Sequence, residues 1–241
     1  MKLLRTLALA ATLLVVGSAA ASAQQQMIFD GTATGFNDGH YYVGTYLASY
    51  DPPGGPMGPQ IDIYCVDFYH EIYNNQVWTA NFSNVTGDLS KTRLGLAHLT
   101  NAAALAFYEE EAWLASQFAI PANYSQPTWI GIAHAMWSIT SGNTSLIDSY
   151  SIPWLSAMTT AQSHNYYGMN FADWNVVTDV TATGECTVNN LSTPPCNAVP
   201  PSDGTQEFLT RTVTPEPATL LLLGTGLLGL VAVGFVKRNS A

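Results

Sequence analysis

Apolar residues follow three different patterns along the chain. Residues 6–16 and 218–236 are long runs without a charged residue. Apolar and polar side chains tend to alternate in residues 27–86 and again in residues 174–213, as they do in half-buried strands. Residues 89–163 carry apolar side chains at spacings of three and four, which is typical of helices. The pattern predicts an α+β domain, in which β-rich N-terminal and C-terminal strands pack with a central helical segment.

Five segments are predicted as strands. Residues 41–50 are rich in tyrosine and β-branched side chains. Residues 61–72 form one long strand with period-two faces, and residues 77–85 are the expected hairpin partner. Residues 175–183 and 206–213 are the C-terminal candidates.

The first long helix is expected over residues 101–118, where alanine is frequent and apolar side chains recur every three or four positions. It contains three consecutive glutamates, Glu109, Glu110 and Glu111. We expect these glutamates to form its solvated face.

A second helix is expected to begin near Ser125 and Pro127, because serine caps helices and proline suits the first turn. Gly142 is placed to end it. Residues 145–163 predict a third helical stretch, broken at Pro153.

Residues 1–23 have the layout of a cleaved secretory signal peptide. Lys2 and Arg5 precede the apolar run of 11 residues, and small side chains end the segment at Ala23. The run is too short to span a bilayer stably. We therefore expect signal peptidase to act here, with an uncleaved anchor helix as the alternative.

The C-terminal apolar run is long enough to cross a membrane. Residues 218–236 would reach roughly 28 Å as a helix, close to the thickness of a hydrocarbon core. Lys237 and Arg238 follow directly and favour a cytoplasmic C-terminus. The sequence predicts a single-pass membrane precursor with residues 24–213 outside.

A proline-flanked acidic residue stands directly before this run. Pro215-Glu216-Pro217, the apolar span and the basic tail resemble the C-terminal sorting signal of bacterial PEP-CTERM proteins. The resemblance implies that residues 214–241 are recognised by an exosortase, and that the protein is delivered to the cell surface or an exopolysaccharide matrix. The alternative is a plain single-span anchor.

The charge balance excludes a nucleic-acid partner. The chain has 7 basic and 17 acidic residues. Only Lys91, Arg93 and Arg211 are basic between residues 24 and 214, against 16 acids, so this part carries −13 (3 minus 16). An anionic body repels a phosphate backbone.

The chain has three cysteines. Cys186 and Cys196 are close in sequence in a chain with an export signal, so we predict a disulfide between them; two free thiols are the alternative. Cys65 is left over and is expected to be a buried small apolar residue.

A second resemblance involves Cys65. Tyr64-Cys65 on a predicted strand, followed by a helix that contains Trp137, loosely resembles the thioester domains of bacterial surface adhesins. In that family a glutamine four residues before the tryptophan acylates the cysteine. Ala133 occupies this position here, and a methyl group has no carbonyl to supply. The resemblance therefore implies a thioester-like scaffold without the reactive bond.

The sequence offers few other candidates for a metal site or a catalytic site. Asp67, His70 and Glu71 could ligate a metal, but on a strand His70 would face away from both carboxylates, so no metal or cofactor is expected. His134 lies in an apolar helix and is expected to be a hydrogen-bonded core residue. No glycine-flanked serine motif or phosphate-binding loop is present in the sequence.

These observations predict a non-catalytic exported protein of the cell surface or extracellular matrix. It would bind polysaccharide or a neighbouring surface protein. The alternatives are a secreted hydrolase acting on surface polysaccharide and, further, a thioester-type adhesin.

Overall fold

A computed structural model describes residues 24–50, 57–182 and 204–211. Six antiparallel strands form a closed barrel in the order β1-β2-β3-β6-β5-β4. The strands are β1 (Gln24–Thr32), β2 (Thr45–Tyr50), β3 (Gln60–Cys65), β4 (Val77–Asn84), β5 (Trp174–Asp179) and β6 (Phe208–Arg211).

All α-helices of the described residues lie in sequence between β4 and β5. They are α1 (Arg93–Leu96), α2 (Asn101–Gln117), α3 (Gln126–Ser141) and α4 (Ile152–Ser163). The predicted α+β class, with a helical segment between N-terminal and C-terminal strands, is confirmed. In the described part of the chain, no helix has the length and apolar character needed to cross a membrane.

Apolar side chains that alternate with polar ones along the strands fill the barrel interior. Met27, Ile63 and Phe208 are fully buried although they come from strands distant in sequence. The helices pack closely against this barrel at Gly44, where φ is +104° and a Cβ would lie 2.0 Å from the Trp129 ring. Only glycine fits this contact between the barrel and α3.

Strand β1 was not among the predicted strands, and two strand predictions were wrong in detail. The strand expected over residues 61–72 ends at Cys65, because the Asp67 carboxylate accepts the Tyr69 amide at 3.1 Å and turns the chain. β4 pairs with β1 and β5 rather than with β3. Closure of the barrel, a long-range effect, decides this pairing.

Three helix predictions, on Pro153, Ser125 and Glu111, differ from the structure, and the prediction on Gly142 is confirmed. Pro153 lies in the first turn of α4, so it begins the helix rather than breaking it. Ser125 is the residue before α3, but its hydroxyl accepts no backbone N–H and instead donates to the Thr128 hydroxyl. Gly142, with φ 59°, ends α3 as predicted. Glu111 is fully buried, contrary to the expected solvated face.

Candidate ligand-binding cleft

Two loops and one helix enclose a cleft of about 490 Å³. The β1–β2 loop (residues 33–44) and the β3–β4 loop (residues 66–76) supply most of its lining, and α3 contributes Trp137. The volume lies within the range of small-molecule sites, ~300–1,000 Å³. The lining residues are Phe29, Thr32, His40, Tyr41, Tyr42, Tyr46, Asp67, Phe68, Glu71, Ile72, Tyr73, Asn74, Trp137 and Gln206.

Aromatic rings dominate one wall. The Tyr41 ring lies 5.2 Å from Phe68 and 6.2 Å from Trp137, both edge-on, and Phe68 lies 5.6 Å from Trp137. Trp137 is buried, whereas Tyr41, Tyr42 and Tyr73 are 45%, 55% and 64% exposed. The buried Trp137 ring therefore supports Tyr41, and all three tyrosines remain open to a ligand.

Asp38 fixes the backbone that presents Tyr41. One of its carboxylate oxygens accepts the amides of His40 at 2.8 Å and Tyr41 at 2.7 Å. Its other oxygen lies 3.0 Å from His134 Nε2 on α3. The loop is thus hydrogen-bonded to the helix at the edge of the cleft.

His134 bridges two carboxylates. Its Nδ1 lies 2.9 Å from Asp148, and its Nε2 faces Asp38. Ionised carboxylates only accept hydrogen bonds, and each ring nitrogen lies within hydrogen-bond distance of one of them. Burial tends to raise the pKa of each aspartate, but backbone amides and His134 outweigh it and hold both pKa values below the ordinary range. His134 is the hydrogen-bonded, buried residue that the sequence predicts.

A buried ion cluster lies behind the cleft. The Asp67 carboxylate is 2.6 Å from His70 Nδ1 and 2.9 Å from Arg93 Nε. Although burial tends to raise the pKa of Asp67, His70 and Arg93 lower it overall. The prediction that Asp67 and His70 point apart was wrong, because this segment is a turn and not a strand. Within the described residues, no group of three or more histidine, cysteine, aspartate or glutamate side chains is arranged so that it could hold a metal ion.

Glu207 extends this network into the barrel. Its carboxylate accepts the Tyr108 hydroxyl at 2.7 Å, the Thr178 hydroxyl at 2.6 Å and the Arg93 amide at 2.8 Å. Burial raises the pKa of Glu207 despite these donors. No local pattern indicates this cluster, because its members come from α1, α2, β5 and the segment before β6.

The structure brings Cys65 and the end of α3 together. Trp137 Nε1 donates to the Cys65 carbonyl at 3.1 Å, and Ala133 is buried one turn earlier on the helix. A glutamine that the resemblance did not point to, Gln206, lies near Cys65. The Cys65 thiol at 3.2 Å and the Gln206 amide at 3.4 Å both donate to the Asp67 carbonyl. Burial raises the pKa of the Cys65 thiol.

Several predicted sites lie outside the described residues. These are the signal peptide (1–23), the predicted disulfide of Cys186 and Cys196, and the sorting signal (214–241) with Pro215, Glu216, Pro217, Lys237 and Arg238. The structure does not test these predictions.

Comparison with known proteins identifies the C-terminal segment. The family model of the PEP-CTERM protein-sorting motif matches residues 213–238. The chain therefore carries a PEP-CTERM sorting signal, and this motif indicates an exported, cell-surface-directed bacterial protein that is handled by an exosortase. No curated protein and no solved structure matches the chain.

Proposed function

We propose that this protein acts outside the cell as a non-catalytic binding protein of the surface or extracellular matrix, and that the aromatic cleft is its binding site. The supporting observation is the set of three exposed tyrosines around a cleft whose wall is packed on buried Trp137. Exposed large aromatic side chains grouped in a concave site are typical of ligand binding.

The carboxylates of the cleft favour binding over hydrolysis. Asp67 is held by Arg93 and His70, and one oxygen of Glu71 accepts the Tyr73 hydroxyl at 2.5 Å. A glycosidase needs one carboxyl group that holds a proton for the leaving group. The pKa of Asp67 is lowered, which is opposite to that requirement.

Retention of the protein on its own matrix tests the proposal. Wild type, Tyr41→Ala and the control Tyr150→Ala are expressed in cells that lack the native copy, and the fraction held by washed matrix is measured. Tyr150 is similarly exposed, at 51%, but does not line the cleft. We expect Tyr41→Ala to be released while the control is retained. Equal retention of all three would rule out the cleft as the binding site.

The hydrolase alternative has a separate test. Purified full-length protein is incubated with matrix glycans, and reducing ends are counted. Turnover that disappears when either of two specific carboxylates is replaced by alanine would establish an enzyme. We expect no turnover in the wild type.

One observation favours a thioester-type adhesin as a second candidate. The Cys65 thiol and the Gln206 carboxamide share one acceptor, the Asp67 carbonyl. Condensation of the thiol with the carboxamide would form a thioester and release ammonia. Intact mass would then fall by about 17 Da beyond any disulfide, by stoichiometry. Against this candidate, burial raises the pKa of the Cys65 thiol and disfavours the nucleophilic thiolate.

A further inference from the structure

The charges around the cleft restrict the chemistry of its ligand. None of the described residues that line it is a lysine or an arginine. The nearby Arg93 is buried, with Nε on Asp67 and Nη2 donating to the Thr205 carbonyl at 2.7 Å. The exposed ionisable side chains of the lining other than tyrosine are Glu71 and His40. The cleft therefore presents the Glu71 carboxylate, and its described lining offers no lysine or arginine to balance that charge.

The polar groups stand beside the exposed rings. Glu71 is next to Tyr73 through their hydrogen bond, and Asn74 follows in the same loop. Tyr41 and Tyr42 are on the facing β1–β2 loop. Flat apolar rings beside carboxylate and amide groups match a molecule with both C–H faces and hydroxyl groups. A sugar ring has this composition.

We propose that the cleft binds a polysaccharide without acidic groups, either neutral or amine-bearing, by stacking sugar rings on Tyr41 and Tyr73 and hydrogen-bonding their hydroxyl or amino groups to Glu71 and Asn74. This inference rests on the proposed binding function and specifies its ligand. Uronic-acid and sulfated polymers are excluded, because they would approach an anionic body and meet the unpaired charge of Glu71.

Calorimetric titration of the full-length chain tests the inference. The protein is kept in a polyoxyethylene detergent, since detergents with sugar head groups would compete for the cleft. The three probes are a neutral cello-oligosaccharide, an amine-bearing chitosan oligosaccharide and an acidic oligogalacturonate. We expect one or both of the first two to bind, and the oligogalacturonate not to bind.

Matched variants locate the binding. Tyr41→Ala and Tyr73→Ala should each weaken binding about tenfold, whereas Tyr150→Ala should leave it unchanged. Tyr73 is 64% exposed, so its replacement tests the cleft even if Tyr41→Ala perturbs the loop. Glu71→Lys should allow the oligogalacturonate to bind and should abolish any preference for the chitosan probe.

The outcomes separate this inference from the function on which it rests. Binding of oligogalacturonate to the wild type, weakened by Tyr41→Ala, would overturn the charge argument but keep the cleft as a binding site. Failure of all three probes, with Tyr41-dependent retention on native matrix, would overturn the glycan assignment alone. Failure of the probes and of that retention would remove both proposals.

Discussion

Glu111 is a fully buried carboxyl group on α2. Burial, and then the neighbouring charges of Glu110 and Glu207, raise its pKa well above the ordinary value. The group is therefore held in its neutral form inside the protein, because an isolated carboxylate is costly to desolvate. A run of three glutamates gave no local indication of which one faces inward.

Glu111→Gln should make the protein more stable at neutral pH. Because the pKa of Glu111 is raised in the folded state, its contribution to stability is fully present below its unfolded-state pKa of about 4.5. That contribution is lost as the pH rises through the folded-state pKa. Glutamine has a similar shape and no charge. The gain in free energy of unfolding of the variant over the wild type should therefore be absent near pH 4 and grow toward pH 7. Urea unfolding at several pH values measures this. Glu109→Gln, on the partly exposed side of the same helix, should have a much smaller effect; equal curves for both variants would contradict the prediction.

Three consecutive non-glycine residues have left-handed backbone conformations. Asn165, Tyr166 and Tyr167 have φ of 50°, 48° and 56°, and Gly168 follows at 76°. Tyr166 is buried against Phe171 at 5.1 Å, while the exposed Tyr167 ring stacks on His164 at 5.5 Å. Left-handed conformations of residues with a Cβ cost about 1 kcal/mol or more each.

Replacement of Tyr167 tests this strain. Tyr167→Gly and Tyr167→Ala both lose the ring contact with His164, but only glycine removes the Cβ that opposes φ 56°. We expect the glycine variant to be more stable than the alanine variant by about 1 kcal/mol in thermal or urea unfolding. An alanine variant equal to or more stable than the glycine variant would disprove the left-handed turn.

The β1–β2 loop is the element that shapes the cleft, and His134 on α3 fastens it. The His134 ring lies between Asp38 of this loop and Asp148 of the segment before α4. Gln126 adds a second link, because its amide donates to the Asn37 carbonyl at 2.8 Å. The position of the cleft tyrosines thus depends on packing between elements and not on the loop sequence alone.

His134→Gln should destabilise the protein by about 1–2 kcal/mol at neutral pH, because the hydrogen bonds that join Asp38 and Asp148 through the ring are lost. The pKa values of Asp38 and Asp148 are lowered in the folded state. The two aspartates therefore stabilise the folded state above their unfolded-state pKa of about 3.9. This stabilisation is lost as the pH falls through their lower folded-state pKa values. Urea unfolding from neutral to acidic pH should show a smaller acid loss in His134→Gln. The exposed His164→Gln is the control, and equal acid loss in both would refute the bridge.

The whole molecule combines an anionic barrel-and-helix body with a terminal sorting signal. The body carries the cleft, and the match to residues 213–238 supplies the route to the cell surface. Recognition by a sorting enzyme requires accessible extended backbone, which the two prolines around Glu216 favour.

Glu216→Ala should leave an unprocessed precursor in the membrane fraction. Glu216 is the only acidic residue within residues 213–238, so its removal deletes the single negative charge of the motif. Immunoblots of membrane and surface fractions measure precursor size and location. Asp203→Ala removes a charge outside the matched segment and should mature normally. Normal maturation of Glu216→Ala would show that this side chain is not recognised.

Local patterns in the chain were sufficient for the succession of β-rich and helical regions, the ends of α3 and the sorting signal, because each depends on neighbouring residues, but they missed strand β1. They were insufficient for the barrel pairing of β4, the burial of Glu111, and the meeting of Asp38 with His134 or of Cys65 with Gln206. These contacts join positions far apart in sequence, and periodicity carries no information about which distant faces meet. Closure of the sheet and packing of the helices against it bring these groups together, and the cleft exists only as a result of that packing.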